Sequence, residues 1–444
     1  MLLGFALDGG MILANSVYEI EGDDLESGLT QLTELLEAKI PIFRSTIVEI
    51  HQEHGNNSNN DEDNKKAGAR YAQLLLKRGS SRWIRTSDLD AYLRSTFTER
   101  MKLGGSPIQY AVVDQDKVNH EGKSFFVVSV QHSFFDVFSR SLLERDLLQI
   151  LTASPAEYAR APQRPWYGDF ATSMRAQSGY DARARRFWAG YLDGAEYANI
   201  HAQSLASASA LQDGVINWTR LDVSGSWASE QQTPLMLAAW TLALARQSGL
   251  RDIVFGLGRH GRSHPYQDIR RTIGPFFSIT PLRLRLGGAS AAGGLTAGQQ
   301  HPETVGELVR RVQGEILATA RWEQGTIPGV YPDAEGNNPW VQCWVNVKSE
   351  LYAMRNGYRD DEKNDSAKKI RTFVPRPDLH PLWMKSHWAL IMVIYIKQDC
   401  VEAGVGYRSS LIGHDKANRL FEDFRGLVRE LAGGEGNAVD ALLT

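Results

Sequence analysis

Gln131-His132-Ser133-Phe134-Phe135-Asp136 is the stretch of this chain best suited to chemistry, because it puts an imidazole four residues ahead of a carboxylate. An imidazole with an unperturbed pKa of ~6.5 can take or give a proton near neutral pH. The carboxylate four residues on could also be no more than a cap of the helix that follows. The same HxxxD spacing recurs at His264 and Asp268, so spacing alone does not single out a site.

Context separates the two copies. Phe125, Phe126, Val127, Val128 and Val130 lead into His132 as an apolar, largely β-branched run that predicts a buried strand. Phe138, Leu142, Leu143, Leu147 and Leu148 follow Asp136 at the spacing of one apolar helix face. His132 therefore lies in a strand–turn–helix, where a rigid scaffold can present a reactive group. His264 lies instead in the polar run Arg259-His260-Gly261-Arg262-Ser263-His264-Pro265, read as a loop with no strand leading in.

The chain has 444 residues, which suits two lobes rather than one core. A net charge of −3 offers no basic field for a nucleic-acid backbone. Cys343 and Cys400 are the only cysteines, with neither a CxxC pair nor a metal-type cluster, which fits free thiols in a reducing cytosol. Residues 1–14 carry Asp8, lack a basic start and are too short to span a bilayer.

Further strands are expected at 17–20, 40–48, 108–114, 252–255, 273–286, 340–347, 388–396 and 401–407. Helices are expected at 25–38, 71–78, 89–96, 182–192, 233–247, 304–322 and 416–431, with another starting at 166. Residues 55–69, 287–301 and 355–369 read as polar or small-residue insertions, and 201–214 as a soft stretch. Residues 152–165 are rich in proline and small residues. The expected division is a lobe at 1–153, a linker at 154–165 and a second lobe at 166–444, each of α/β or α+β type.

Other motifs fail their context. Gly256-Leu257-Gly258-Arg259-His260-Gly261 matches GxGxxG, but no helix pattern starts there and no acid follows at the spacing a dinucleotide site needs. Gly122-Lys123-Ser124 lacks the upstream glycine of a phosphate loop, and neither GxSxG nor HExxH occurs.

Several stretches together resemble one family. The turn at His132 and Asp136 resembles the HHxxxDG motif of condensation domains from nonribosomal peptide synthetases. Residues 274–283, GPFFSITPLR, look like that family's GPFxNxxPLR strand, preceded by Phe255-Gly256 and Gly261-Arg262. Phe187-Trp188 with Tyr191-Leu192 resembles its FWxxxL helix, and residues 41–46 its early strand. Gln131 stands where the first histidine is usual and Val137 where glycine is usual. With a single histidine and Ser139, the turn is more similar to the SHxxxDxxS form of terminal, cyclising domains in fungal synthetases. The family's opening motif is largely missing before Val17, which leaves a stand-alone remnant, an excised piece and a mis-started gene open.

The resemblance implies two chloramphenicol-acetyltransferase-like lobes in a V-shaped pseudo-dimer around a tunnel, with His132 at its middle. The implied substrate is a peptidyl thioester on the phosphopantetheine arm of a carrier protein, with no cofactor or metal bound by this chain and a monomeric state. His132 would act as base or would position the nucleophile or oxyanion. By resemblance Asp136 pairs with Arg283 to support the turn. Gln131, Ser133, Phe135, Trp344 and Asn346 are candidates for the tunnel wall, with core packing the competing role for Phe134, Phe135 and Phe138. Ring closure with release, intermolecular condensation and a docking module without chemistry are the competing readings. A coenzyme-A-dependent HxxxD acyltransferase is disfavoured because its DFGWG stretch is absent.

Overall fold

A computed structural model describes residues 13–20, 25–50, 70–79, 81–96, 102–116, 123–152, 155–195, 213–221, 223, 227, 231–287, 302–327, 343–349, 370–373, 388–397, 400–409 and 411–443. The expected insertions at 55–69 and 355–369 lie outside these residues, as do 288–301 of the one expected at 287–301 and 201–212 of the soft stretch expected at 201–214, whose last two residues open a strand. The chain forms two units: residues 1–176, 266–275 and 361–381 make the first, and residues 177–265, 276–360 and 382–444 the second.

The first unit is built on the predicted central strand. A five-stranded sheet has the order β11-β1-β6-β5-β4, in which β1 is Leu13–Ile20, β4 Arg82–Thr86, β5 Ile108–Asp116, β6 Lys123–Gln131 and β11 Ile370–Phe373. Strand β6 runs antiparallel to both β1 and β5. Its run is apolar on both faces, broken only by Ser129, because both of those faces are buried. Phe126, Val128 and Val130 pack in a cluster with Leu32 and Leu36 of α1 (Leu25–Lys39) and with Leu142, Leu143 and Leu147 of α3 (Val137–Thr152). Phe125 and Val127 pack on the opposite side, in a cluster with Leu89, Tyr92 and Leu93 of α2 (Leu89–Thr96).

Two local expectations are corrected here. Residues 40–48 do not make one strand: Pro41–Arg44 form a 3₁₀ turn with Pro41 at its start, and β2 (Ser45–Ile50) follows. Residues 71–78 are not a helix, because β3 (Arg70–Leu75) pairs antiparallel with β2. Tyr-Ala-Gln-Leu-Leu contains good helix formers, and the partner strand overrides that local preference.

The division into units also differs from the expected consecutive lobes. The stretch expected as a linker contains α4 (Pro155–Arg160), and the first unit continues through α5 (Tyr167–Ala176). Two later segments return to it, one of them supplying β11 at the edge of the sheet beside β1.

In the second unit a six-stranded sheet has the order β7-β13-β12-β10-β8-β9. Its strands are β7 (Asp213–Leu221), β8 (Asp252–Arg259), β9 (Ser278–Arg285), β10 (Cys343–Ser349), β12 (Leu390–Ile396) and β13 (Val401–Arg408). Strand β10 is parallel to both β8 and β12, and the remaining pairs are antiparallel. The main core joins this sheet to α7 (Gln232–Ser248), α8 (Val305–Ala320) and α9 (His414–Ala432). Helix α7 is buried from Pro234 to Ala245, so it is apolar all round and not striped. Strand β8 continues past Phe255 to Arg259, which makes Gly256 and Gly258 strand residues and not a phosphate-binding turn, and which leads a strand into the 259–265 run where none was expected. A Cβ on Gly258 would stand 3.0 Å from the Trp344 ring and 3.2 Å from Phe277, so a close approach of rings accounts for that glycine. No helix among the described residues is long and apolar enough to cross a membrane.

Candidate active site

Strand β6 ends at Gln131, whose N–H donates to the Pro107 carbonyl at 2.8 Å. The chain then turns tightly: Phe134 N–H donates to the Gln131 carbonyl at 2.8 Å and Phe135 N–H to that of His132 at 3.4 Å. Asp136 closes the turn as the N-cap of α3, its Oδ1 accepting the Ser139 N–H at 2.7 Å while its carbonyl accepts from Arg140 N–H at 3.1 Å. His132 is half-buried, whereas Gln131, Ser133, Phe134, Phe135 and Asp136 are buried. Of the six residues 131–136, His132 alone keeps partial exposure, and its Nδ1 is buried.

The other candidates separate. Gln131 is 5 % exposed, and its Oε1 has no hydrogen-bond partner among the described residues. By strand alternation it shares a face with Ser129, whose Oγ lies 2.7 Å from the Tyr92 hydroxyl. Gln109 Nε2 donates to that same hydroxyl at 3.1 Å. Phe135 is 1 % exposed and packs in the core with its ring 6.4 Å from that of Phe43. The structure gives Phe135 to the core and not to a tunnel wall, and Phe134 and Phe138 pack in the same cluster.

Arg283 does not support the turn through Asp136. Its guanidinium, 1 % exposed, donates from Nη2 to Asp252 Oδ2 at 2.5 Å and from Nε to Asp252 Oδ1 at 2.9 Å. Nη1 donates to the carbonyls of Tyr191 at 2.9 Å and Asp193 at 2.7 Å. The expected pair is replaced because Asp252 opens the neighbouring strand β8, where antiparallel register brings it beside Arg283 and Arg285. Tyr191 of α6 (Tyr180–Leu192) also accepts the Arg283 N–H on its hydroxyl at 2.9 Å. Arg283 therefore ties the edge strand β9 to α6, which links the FWxxYL and PLR stretches.

Trp344 and Asn346 sit two apart on β10, on the face away from Val345, which belongs to the main core. The Trp344 ring lies 5.7 Å from both Phe277 and Trp388, in an aromatic cluster with Phe187 and Trp322. Its indole Nε1 is buried with no hydrogen-bond partner among the described residues.

The second HxxxD copy is not built like the first. His264 is buried with its ring edge-on to Tyr180 at 5.7 Å, and burial pushes its pKa down. The Asp268 carbonyl instead accepts from Thr272 Oγ1 at 2.8 Å, and its carboxylate meets Arg271 at 3.3 Å. No group of three His, Cys, Asp or Glu among the described residues is placed to hold a metal ion.

Three features were not expected from the sequence. Arg262 is 2 % exposed with its guanidinium 4.2 Å from the centre of the Phe276 ring; its place in a polar run hid it. Ser139 Oγ both donates to the Gly274 carbonyl and accepts the Gly274 N–H, each at 2.9 Å. Arg164 holds Asp146 at 2.5 Å and 2.7 Å and donates to the Arg271 carbonyl at 2.9 Å.

With this geometry in hand, a family model for the condensation domain matches residues 85–433. The chain belongs to the condensation-domain family. It is 40 % identical over 454 residues to nonribosomal peptide synthetase 8 of Gibberella moniliformis, covering 99 % of this chain and 76 % of that one. It is 38 % identical over 451 residues to nonribosomal peptide synthetase ALT12 of Alternaria alternata, covering 99 % and 75 %. The solved structure of the condensation domain from the monacolin K polyketide synthase MokA superposes with a TM-score of 0.65 at 13 % identity, over 96 % of this chain and 93 % of that one. Condensation domains are acyl- and peptidyl-transfer domains that work with carrier-protein domains in multidomain synthetases. The two α/β units described above are this family's two acetyltransferase-like lobes.

Proposed function

We propose that this condensation domain closes a carrier-bound peptide on itself and releases it, with His132 as the catalytic residue. The observation that carries this reading is His132 at the end of β6, the one residue of 131–136 left partly exposed. Gln131 and not a second histidine precedes it, and Ser139 follows Asp136 at the spacing of the SHxxxDxxS form.

In the proposed reaction an amine or hydroxyl of the peptide attacks the carbonyl carbon of its own thioester. His132 takes the proton as the new C–N or C–O bond forms. The tetrahedral intermediate collapses with cleavage of the C–S bond, and the pantetheine sulfur leaves with that proton as a thiol. The thioester supplies the driving force, so no nucleotide is consumed. Gln131, Ser133, Trp344 and Asn346 are assigned to the surroundings of the substrate, and the carrier protein brings the phosphopantetheine arm.

The test loads a purified carrier protein with a peptidyl-phosphopantetheine and adds the wild-type chain or His132→Ala. Mass spectrometry follows the carrier and the released product. Release of a dehydrated ring by wild type alone supports the proposal. Transfer of the peptide to a second, aminoacyl-loaded carrier without ring formation replaces it with intermolecular condensation. Retention of every tested peptide on a carrier that still binds the chain replaces it with a docking role.

A further inference from the structure

Helix α3, which follows the His132 turn, is overlaid by a strap. Residues 266–275 return to the first unit and lie along it, fixed at two places. Toward the middle of the helix, Arg164 bridges Asp146 on α3 to the Arg271 carbonyl and also donates to the Leu142 carbonyl at 3.2 Å. At the first turn, the Ser139 hydroxyl takes both hydrogen bonds of Gly274, as donor to its carbonyl and acceptor from its N–H. Between them Ile273 is buried in the core cluster that contains Leu142 and Leu143.

The Gly274 contact is built with no spare room. Ser139 is fully buried, and a Cβ on Gly274 would stand 2.5 Å from the ring of Tyr167. The peptide of Gly274 is thus held between that ring and the serine hydroxyl. Buried backbone groups without partners are costly, so loss of the hydroxyl leaves a donor and an acceptor unmet in the core. The N–H of the same serine is the one that Asp136 caps at 2.7 Å. One residue therefore joins the strap, the N-cap and the turn that aims His132.

We propose that Ser139 is a positioning residue for His132, acting through Asp136 and the first turn of α3. The kinetic part of this inference rests on the proposed ring-closing reaction; its structural part does not. The alternative is that Ser139 merely fastens the strap, and the two are told apart by comparing Ser139→Ala with Arg164→Gln, which loosens the strap at its other anchor.

Below the unfolding transition, Ser139→Ala is expected to lower kcat by about 100-fold with KM unchanged, the scale of a reacting group misplaced by about 1 Å. Ser139→Thr, which keeps the hydroxyl, recovers most of that loss. Arg164→Gln lowers Tm and leaves kcat near wild type. Hydrogen exchange, read without substrate, gives the second arm: in Ser139→Ala the amides of Gly274 and of Phe134 in the turn both exchange at least about tenfold faster. Faster exchange at Gly274 alone, with Phe134 and kcat as in wild type, overturns the proposal. An equal fall in kcat in Arg164→Gln also overturns it. Should Ser139→Ala not fold, Ser139→Cys, of similar volume and poor as an acceptor, is put through the same measurements. If the wild-type chain turns over no peptide, the ring-closing reading fails, and the Phe134 amide by itself decides whether Ser139 controls the turn.

Discussion

Arg283 offers the sharpest test of the corrected site, because sequence and structure assign it different partners. In Arg283→Met, Asp252 loses its contacts at 2.5 Å and 2.9 Å and keeps a longer one, 3.4 Å, from Arg285 Nε. The carbonyls of Tyr191 and Asp193 lose their guanidinium donor at the same time. Asp252 is 24 % exposed and still paired with Arg285, so the loss falls on the unmet carbonyls and the broken pair and costs about 1–3 kcal/mol. The Asp136→Ala change removes a helix N-cap, worth ~1 kcal/mol, and whatever else it costs is independent of Arg283.

The deciding quantity is a coupling energy. Urea unfolding, followed by tryptophan fluorescence and circular dichroism, is measured for Asp136→Ala, Arg283→Met, Asp252→Asn and the two double variants that contain Arg283→Met. Residues that share no contact add within about 0.5 kcal/mol, whereas a hydrogen-bonded pair couples by up to ~3 kcal/mol. The expected result is additivity for Asp136 with Arg283 and coupling above about 1 kcal/mol for Asp252 with Arg283. Coupling above about 1 kcal/mol between Asp136 and Arg283 would refute the reasoning, as would an Arg283→Met variant destabilised by less than about 0.5 kcal/mol.

Two further outcomes are expected. Burial lowers the folded-state pKa of His264 beneath the ~6.5 of an unfolded chain, so on acidification the unfolded state binds this proton first. Its stabilising contribution is whole above pH ~6.5 and is lost as pH falls through that value; His264→Phe should flatten the fall in urea midpoint between pH 7.5 and 5.5, and an unchanged slope counts against the assignment. Gly261 has φ +69°, and a Cβ there would run into the Phe276 carbonyl. Gly261→Ala should therefore cost about 3 kcal/mol or more, and a variant that melts with wild type would show that the loop after β8 is not held in this way.

What was legible in the sequence was whatever leaves a one-dimensional trace. Strand β6 shows as an apolar run broken only by Ser129 because it is buried on both faces, and α7 shows at helical length because it is buried all round. The His132 turn was visible because a strand pattern changes to a helix pattern across it. Strand β3 was misread because Tyr71, Ala72, Gln73 and the leucines state no preference as strong as that of the β2 edge they pair with. For Phe135 the sequence left tunnel wall and core both open, because an aromatic side chain in a turn carries no mark of which way it faces, and the core role is the one the packing fits. The return of residues 266–275 and 361–381 to the first unit leaves no trace of composition at all.

The pairs between motifs explain what the motifs by themselves do not. Tyr191 in the FWxxYL helix meets the backbone and guanidinium of Arg283 in the PLR strand, so each stretch supplies the polar groups that the other leaves unmet. Ser139 in the HxxxDxxS turn meets Gly274 in the GPFF stretch across 135 residues of chain. Gly274 is glycine because its peptide has to pass between the Tyr167 ring and that hydroxyl, and Ser139 is serine because the peptide offers one donor and one acceptor to a single small side chain. Read singly, the serine looks like a helix residue and the glycine like a loop residue. Their stereochemical reason exists only in the fold that brings them together, which is why a sequence can display both motifs and still hide the bond between them.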